Sequence, residues 1–103
     1  MTTLIVLFKL KSEADAAAYE RWAVETDIAT VRRLDNCDGF DLFRCSGTLG
    51  GDAAPYDYVE IISISDVAAF REEAQSDTMR SVAGQFREFA DDPVFLVTEQ
   101  VAV

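Results

Sequence analysis

Three segments of this chain place large apolar side chains on both faces of an extended strand, and that pattern restricts the fold more than any other. They are Leu4-Ile5-Val6-Leu7-Phe8, Tyr58-Val59-Glu60-Ile61-Ile62 and Val94-Phe95-Leu96-Val97. Side chains alternate across a strand with period 2, so Leu4, Val6 and Phe8 face one way and Ile5 and Leu7 the other. The helical segments that fit in 103 residues cover one face of such a sheet. The second face needs another cover, and the simplest is the same sheet of a second copy. A homodimer with sheet-to-sheet contact is the expectation.

Thr3 to Leu10 predicts a first strand. Ser12 is placed to cap a helix over Glu13 to Glu25, with Asp15 where the helix dipole favours an anion. Ala16-Ala17-Ala18 favours helix, and Tyr19, Trp22, Ala23 and Thr26 recur at helical spacing. Ile28, Val31 and Leu34 extend the pattern over Asp27 to Leu34, as a continuation or as a second short helix after a bend. Asn36 and Asp38-Gly39 mark a turn. A second strand runs from Phe40 to Ser46, a loop with Gly47, Gly50 and Gly51 ends near Pro55, and a third strand spans Tyr56 to Ser65. Ser65 or Asp66 caps a helix from Val67. Ser76 or Asp77 caps another, in which Met79, Val82, Ala83, Phe86 and Ala90 form one apolar stripe. Pro93 stops that helix and opens a last strand, Val94 to about Val101. The order strand, helix, strand, strand, helix, strand is the split βαβ plan. It predicts a single α+β, ferredoxin-like domain over residues 1–103, with a four-stranded antiparallel sheet and its helices on one face.

Nineteen acidic residues against nine basic ones give a net charge of −10. Nucleic acid and anionic membrane surfaces both need a basic patch, so neither is an expected partner. No apolar run approaches the roughly 20 residues of a membrane helix, and the N-terminus has no secretory pattern. The chain reads as soluble and, in a bacterium, cytoplasmic. Reduced thiols at Cys37 and Cys45 suit that compartment better than a disulfide. The chain has no histidine, which removes the commonest general base near neutral pH and the commonest transition-metal ligand. Asp15, Glu20, Glu25 and Asp27 fall on different helical faces, so no metal is expected. The glycine loop lacks the lysine and following helix of a phosphate cradle, and no cofactor is expected.

Chemistry is then left to carboxylates, tyrosines and arginines. Tyr56, Tyr58 and Glu60 share a strand face by parity. If that face lies beneath the helices, two phenols and a carboxylate look into a pocket, where burial would raise the Glu60 pKa towards neutrality. The plain alternative packs the tyrosines in an interface and leaves Glu60 in solvent or paired with Arg44. Asp27 is a second candidate for proton transfer. Tyr19 and Trp22 on the first helix, and Met79 and Phe86 on the last, are core residues that also wall the same space. Arg44, flanked by Phe43 and Cys45, is an edge residue or the partner of a carboxylate. The expected cavity is lined by Trp22, Tyr58 and Phe86, with Glu60 or Arg44 as its polar contact. Small residues at Ala23 and Ala83 leave it room.

The segments Thr3 to Lys11, Tyr19-Glu20-Arg21-Trp22, Pro55-Tyr56-Asp57-Tyr58-Val59-Glu60-Ile61-Ile62 and Phe86 to Glu99 together resemble the RedY-like (HapK-like) family of prodigiosin-type tripyrrole biosynthesis. That family lies within the dimeric α+β barrel superfamily, and the Pro-Tyr-Asp-Tyr-Val-Glu run is its sharpest sign here. The resemblance implies two ferredoxin-like protomers pressed sheet to sheet, each with a pocket between its own sheet and helices. It implies a role in secondary metabolism, cofactor-free, on a hydrophobic heteroaromatic small molecule. The alternative is a non-catalytic ligand-binding or structural dimer.

Overall fold

The computed structural model describes residues 1–102. Strand β1 (Thr2–Leu10) is followed by helix α1 (Ala16–Trp22), a π-helical segment (Ala23–Ile28) and a last turn α2 (Ala29–Val31). Next come β2 (Cys37–Arg44), β3 (Tyr58–Ile64), α3 (Val67–Glu73), α4 (Asp77–Phe89) and β4 (Ala90–Glu99). The strands form one sheet in the order β2-β3-β1-β4, antiparallel throughout. This is the ferredoxin-like α+β arrangement expected from the element order. The shortest dimension is 20 Å, the depth of one sheet and one helical layer.

Pairing opposes Phe8 to Tyr58, Val6 to Glu60 and Leu4 to Ile62, while Ile62 also faces Phe40 and Glu60 faces Leu42. Opposed residues share a face, so these all lie beneath the helices. Val6, Phe8, Tyr58, Glu60 and Ile62 are each at most 4% exposed. The other face carries Ile5 opposite Ile61 and Leu96, and Leu7 opposite Val59 and Val94. Phe43, opposite Val59, joins it. Phe43 (53%) and Leu96 (43%) remain exposed there. The apolar second face therefore exists in the protomer and no helix covers it.

Several boundaries differ from expectation for local reasons. Asp15, not Ser12, caps α1: its carboxylate accepts from the Ala17 amide, while the Ser12 hydroxyl donates to Glu13. Asp66 and Ser76 cap α3 and α4. Asp38-Gly39 forms no turn. The pair sits at a register shift within β2, a bulge beside the bend that occupies Arg32 to Asn36. Arg44 ends β2, so Cys45 and Ser46 lie beyond it. The last helix ends at Phe89, before Pro93 can act, because the Phe89 carbonyl accepts from the Lys11 amide and Ala90 turns extended to pair with Leu10. Pro93 lies inside β4, an edge strand, next to Asp92 (φ 46°) where the register with β1 shifts.

The Pro-Tyr-Asp-Tyr run fixes the start of β3. The Asp57 amide donates to the Phe8 carbonyl (2.9 Å), and its carboxylate accepts from the Leu10 amide (2.8 Å). Tyr56 precedes the strand and is only half-buried, whereas Tyr58 and Glu60 are buried within it.

Candidate functional site

Tyr19, Ala23, Asp27 and Val31 are the buried residues of the first helical stretch, spaced strictly by four. An α-helix completes a turn in 3.6 residues, so successive fourth residues drift by about 40°. The π-helical turns between Ala23 and Ile28 take up that drift and hold Asp27 against the sheet. Such turns are rare and gather at functional sites. On the facing sheet, β3 presents Glu60 from a central strand between Val6 and Leu42.

These two carboxyls share a cavity of about 260 Å³ between the sheet and the helices. Its floor is Leu4, Val6, Phe40, Ile62 and Phe95, and its far wall is Phe70 of α3 and Ala74 just beyond it, with Met79, Val82, Ala83 and Phe86 of α4. Val31 closes the end beyond Asp27. Every lining group other than Asp27 and Glu60 is therefore apolar, and no cation faces them. Asp27 is 6% exposed and Glu60 4%. Burial pushes the Asp27 carboxyl up to about 7. Burial, reinforced by the nearby charge of Asp27, pushes Glu60 up to about 8. Glu60 Oε2 and the hydroxyl of Tyr19 are both buried and without a hydrogen-bond partner. The phenol of Tyr19 lies near enough to ease the Glu60 carboxylate slightly, and burial with the Glu60 charge raises its own pKa. The two atoms thus lie close to one another without the geometry of a full hydrogen bond.

The remaining candidates divide. Met79 and Phe86 line the cavity with Asp27 and Glu60. Tyr19, Trp22 and Tyr58 stand outside it, in an aromatic cluster. Tyr19 packs on Tyr58 at 4.8 Å between ring centroids, and Trp22 packs on Phe89 at 5.4 Å. The Trp22 indole donates to Gln85 Oε1 at 2.7 Å, tying α1 to α4. Arg44 is also outside: it grips Glu20 with two hydrogen bonds of 2.8 and 2.7 Å. Tyr58 donates to the same carboxylate at 2.6 Å. Arg44 and Tyr58 together hold Glu20 down at about 2, while burial and this bond push Tyr58 up to about 12. Glu20 was not among the expected residues; its signal was its place one helical residue from Tyr19, opposite the end of β2. Of the expected lining, Phe86, Met79 and Glu60 face this cavity; Trp22, Tyr58 and Arg44 do not, and Asp27 and Phe70 stand there as well. Among the described residues no cluster of three His, Cys, Asp or Glu side chains is placed to hold a metal ion. No helix of the described residues is long and apolar enough to cross a membrane.

The Tyr58 bond gives a simple test of the cluster. Tyr58→Phe removes one hydrogen bond but leaves Glu20 held by Arg44. A stability loss of about 1–2 kcal/mol is expected, read from urea midpoints.

Comparison with known proteins places these features in a family. The model of the family described as REDY-like protein HapK matches residues 2–101. The crystal structure of HapK from Hahella chejuensis is 33% identical, with a TM-score of 0.80 over 100% of this chain and 95% of that one. A DABB-family protein with a ferredoxin-like fold from Mesorhizobium loti shares 13% identity at a TM-score of 0.75, covering 98% and 97%. An asparagine-to-alanine mutant of SnoaB, a cofactor-independent oxygenase from Streptomyces nogalater, shares 18% at 0.79, covering 99% and 94%. The last two likenesses are of fold. No curated protein matches the chain significantly.

Proposed function

Because this chain belongs to the REDY-like HapK family, a family associated with secondary metabolites, we propose that it handles a hydrophobic heteroaromatic intermediate of a prodigiosin-type pathway without a cofactor. The observation that carries this reading is the pair of carboxyls, Asp27 and Glu60, buried in an otherwise apolar cavity. With pKa values raised to about 7 and about 8, each exchanges protons near neutrality, as a general acid or base must. Apolar walls hold the ring system, and Glu60 moves a proton to or from it.

Mass spectrometry of small molecules carried through purification from the native host identifies the intermediate. Glu60→Gln then keeps size and hydrogen bonding while removing the transferable proton. Turnover lost with affinity retained is the expected result; affinity without turnover in the wild-type protein as well would reduce the role to sheltering the compound. Ala83→Phe fills the cavity from α4, and ligand binding by calorimetry should fall below detection while the fold survives. Binding at wild-type strength would place the ligand elsewhere.

We also propose that two copies pair through the uncovered sheet face. Ile5, Ile61 and Leu96 form one apolar row across three strands, with Phe43, Val59, Leu7 and Val94 beside it. A patch of this kind on a lone protomer normally marks an interface.

A further inference from the structure

We propose, resting on the reading of this cavity as a ligand site, that it selects a ligand with a positively charged or proton-accepting nitrogen on one or two small rings. The support lies in what the lining offers and lacks. Glu60 lines the cavity at 4% exposure, and its buried Oε2 has no partner of good geometry, with only the phenol of Tyr19 close to the carboxyl. Asp27 supplies a second carboxyl from the opposite wall. Among the described residues, the lining groups other than Asp27 and Glu60 are all uncharged and apolar, and the phenol of Tyr19 from α1 is the other titratable group beside Glu60. An anion would meet two acids and no counter-charge. A cation would meet partners whose burial makes the attraction strong and excludes competing water.

Size sets the second limit. At about 260 Å³ the cavity lies just under the roughly 300–1,000 Å³ usual for drug-sized ligands. A compact ring system fits and a long chain does not. The proton balance is closed by the pair itself. A neutral base takes the proton of a carboxyl group: the O–H bond breaks, an N–H bond forms, and a carboxylate–cation pair remains. A ligand that arrives already charged instead drives a proton from the pair into solvent.

Three probes that share one ring separate these effects: benzamidine, benzamide and benzoate. Calorimetry on the intact protein should find benzamidine bound at least tenfold tighter than benzamide, and benzoate not at all. Benzamidine affinity should rise about tenfold between pH 6 and pH 8.5 as the two acids ionise. Repetition in buffers of different ionisation enthalpy should show proton release. Glu60→Gln and Asp27→Asn should each shrink the preference and weaken the pH dependence. Attraction to the acidic surface would instead survive in both variants. Equal affinity for benzamide and benzamidine, or a preference that persists in both variants, overturns the charge selection. Naphthalene distinguishes the deeper failure: if neither it nor any of the three binds, the ligand-site reading falls, and this inference with it.

Discussion

Ile61→Glu should leave the protein monomeric. Ile61 sits at the centre of the uncovered face, opposite Ile5 on one side and Asp41 on the other, with Leu96 across β1. A glutamate there puts two like charges near the middle of a face-to-face contact, one from each copy, each beside Asp41 and none beside a counter-charge. Obligate interfaces bury roughly 2,000 Å² or more and are mostly apolar, and an unpaired buried charge costs several kcal/mol. Light scattering at micromolar concentration should give the mass of two chains for the wild type and one for the variant. Because the substitution is on the face remote from the helices, the aromatic cluster should keep its near-ultraviolet signal. A wild type that already scatters as a monomer would remove the dimer, and a variant that remains dimeric would remove this face as its interface.

Stability should fall as the solution is made more alkaline, from about pH 4 to above pH 8. In the unfolded chain Asp27 and Glu60 ionise near their ordinary values of 3.8 and 4.5; in the fold they hold their protons to about 7 and about 8. Between those limits the folded state binds more protons than the unfolded one, so each rise in pH favours unfolding. The contribution is complete below the unfolded values and lost as pH passes through the folded ones. At about 1.4 kcal/mol per pKa unit, the Glu60 rise alone is of order 5 kcal/mol, a large share of the 5–15 kcal/mol that holds a domain of this size. Glu20 acts with the opposite sign. Its depressed pKa stabilises the fold above about 4.5 and that support is lost towards pH 2. The optimum should therefore lie near pH 4, with thermal midpoints dropping on both sides. The double variant Asp27→Asn, Glu60→Gln should flatten the alkaline arm and outlast the wild type at pH 8.5. An alkaline arm of unchanged slope in that variant would show that these two acids do not set it.

The sheet was legible because its signal is local. Alternation at Leu4 to Phe8 and Tyr58 to Ile62 fixes which residues share a face, and pairing in the fold keeps that parity. What parity cannot give is which face meets the helices, and that decided the place of Glu60. The site was half legible for a related reason. Reading the first helix with period 3.6 puts Trp22 and Thr26 on the inner stripe with Ala23, whereas the chain buries Tyr19, Ala23, Asp27 and Val31. A regular period cannot anticipate a π-helical turn. Spacing by four along the whole stretch was the available clue. Arg44 reads in the sequence as an edge residue or the partner of a carboxylate, with Glu60 as that partner; it pairs with Glu20 instead. Only the fold separates them, placing Glu20 above the end of β2.

The same stretch has one residue more than an uninterrupted helix would need. Tyr19 and Val31 both meet the sheet, and they are twelve steps apart. Eleven steps at about 100° each close almost to three whole turns, whereas twelve overshoot by about a third of a turn. The surplus is absorbed between Ala23 and Ile28, and Asp27 lies inside it. A single deletion in that span would bring the two ends into phase as an ordinary α-helix, with its usual hydrogen bonds restored. It would also withdraw the geometry that turns an acid towards Glu60. The second carboxyl of this cavity is thus tied to chain length as well as to residue type. A relative with aspartate in the aligned position but one residue fewer in this helix should lack the pair.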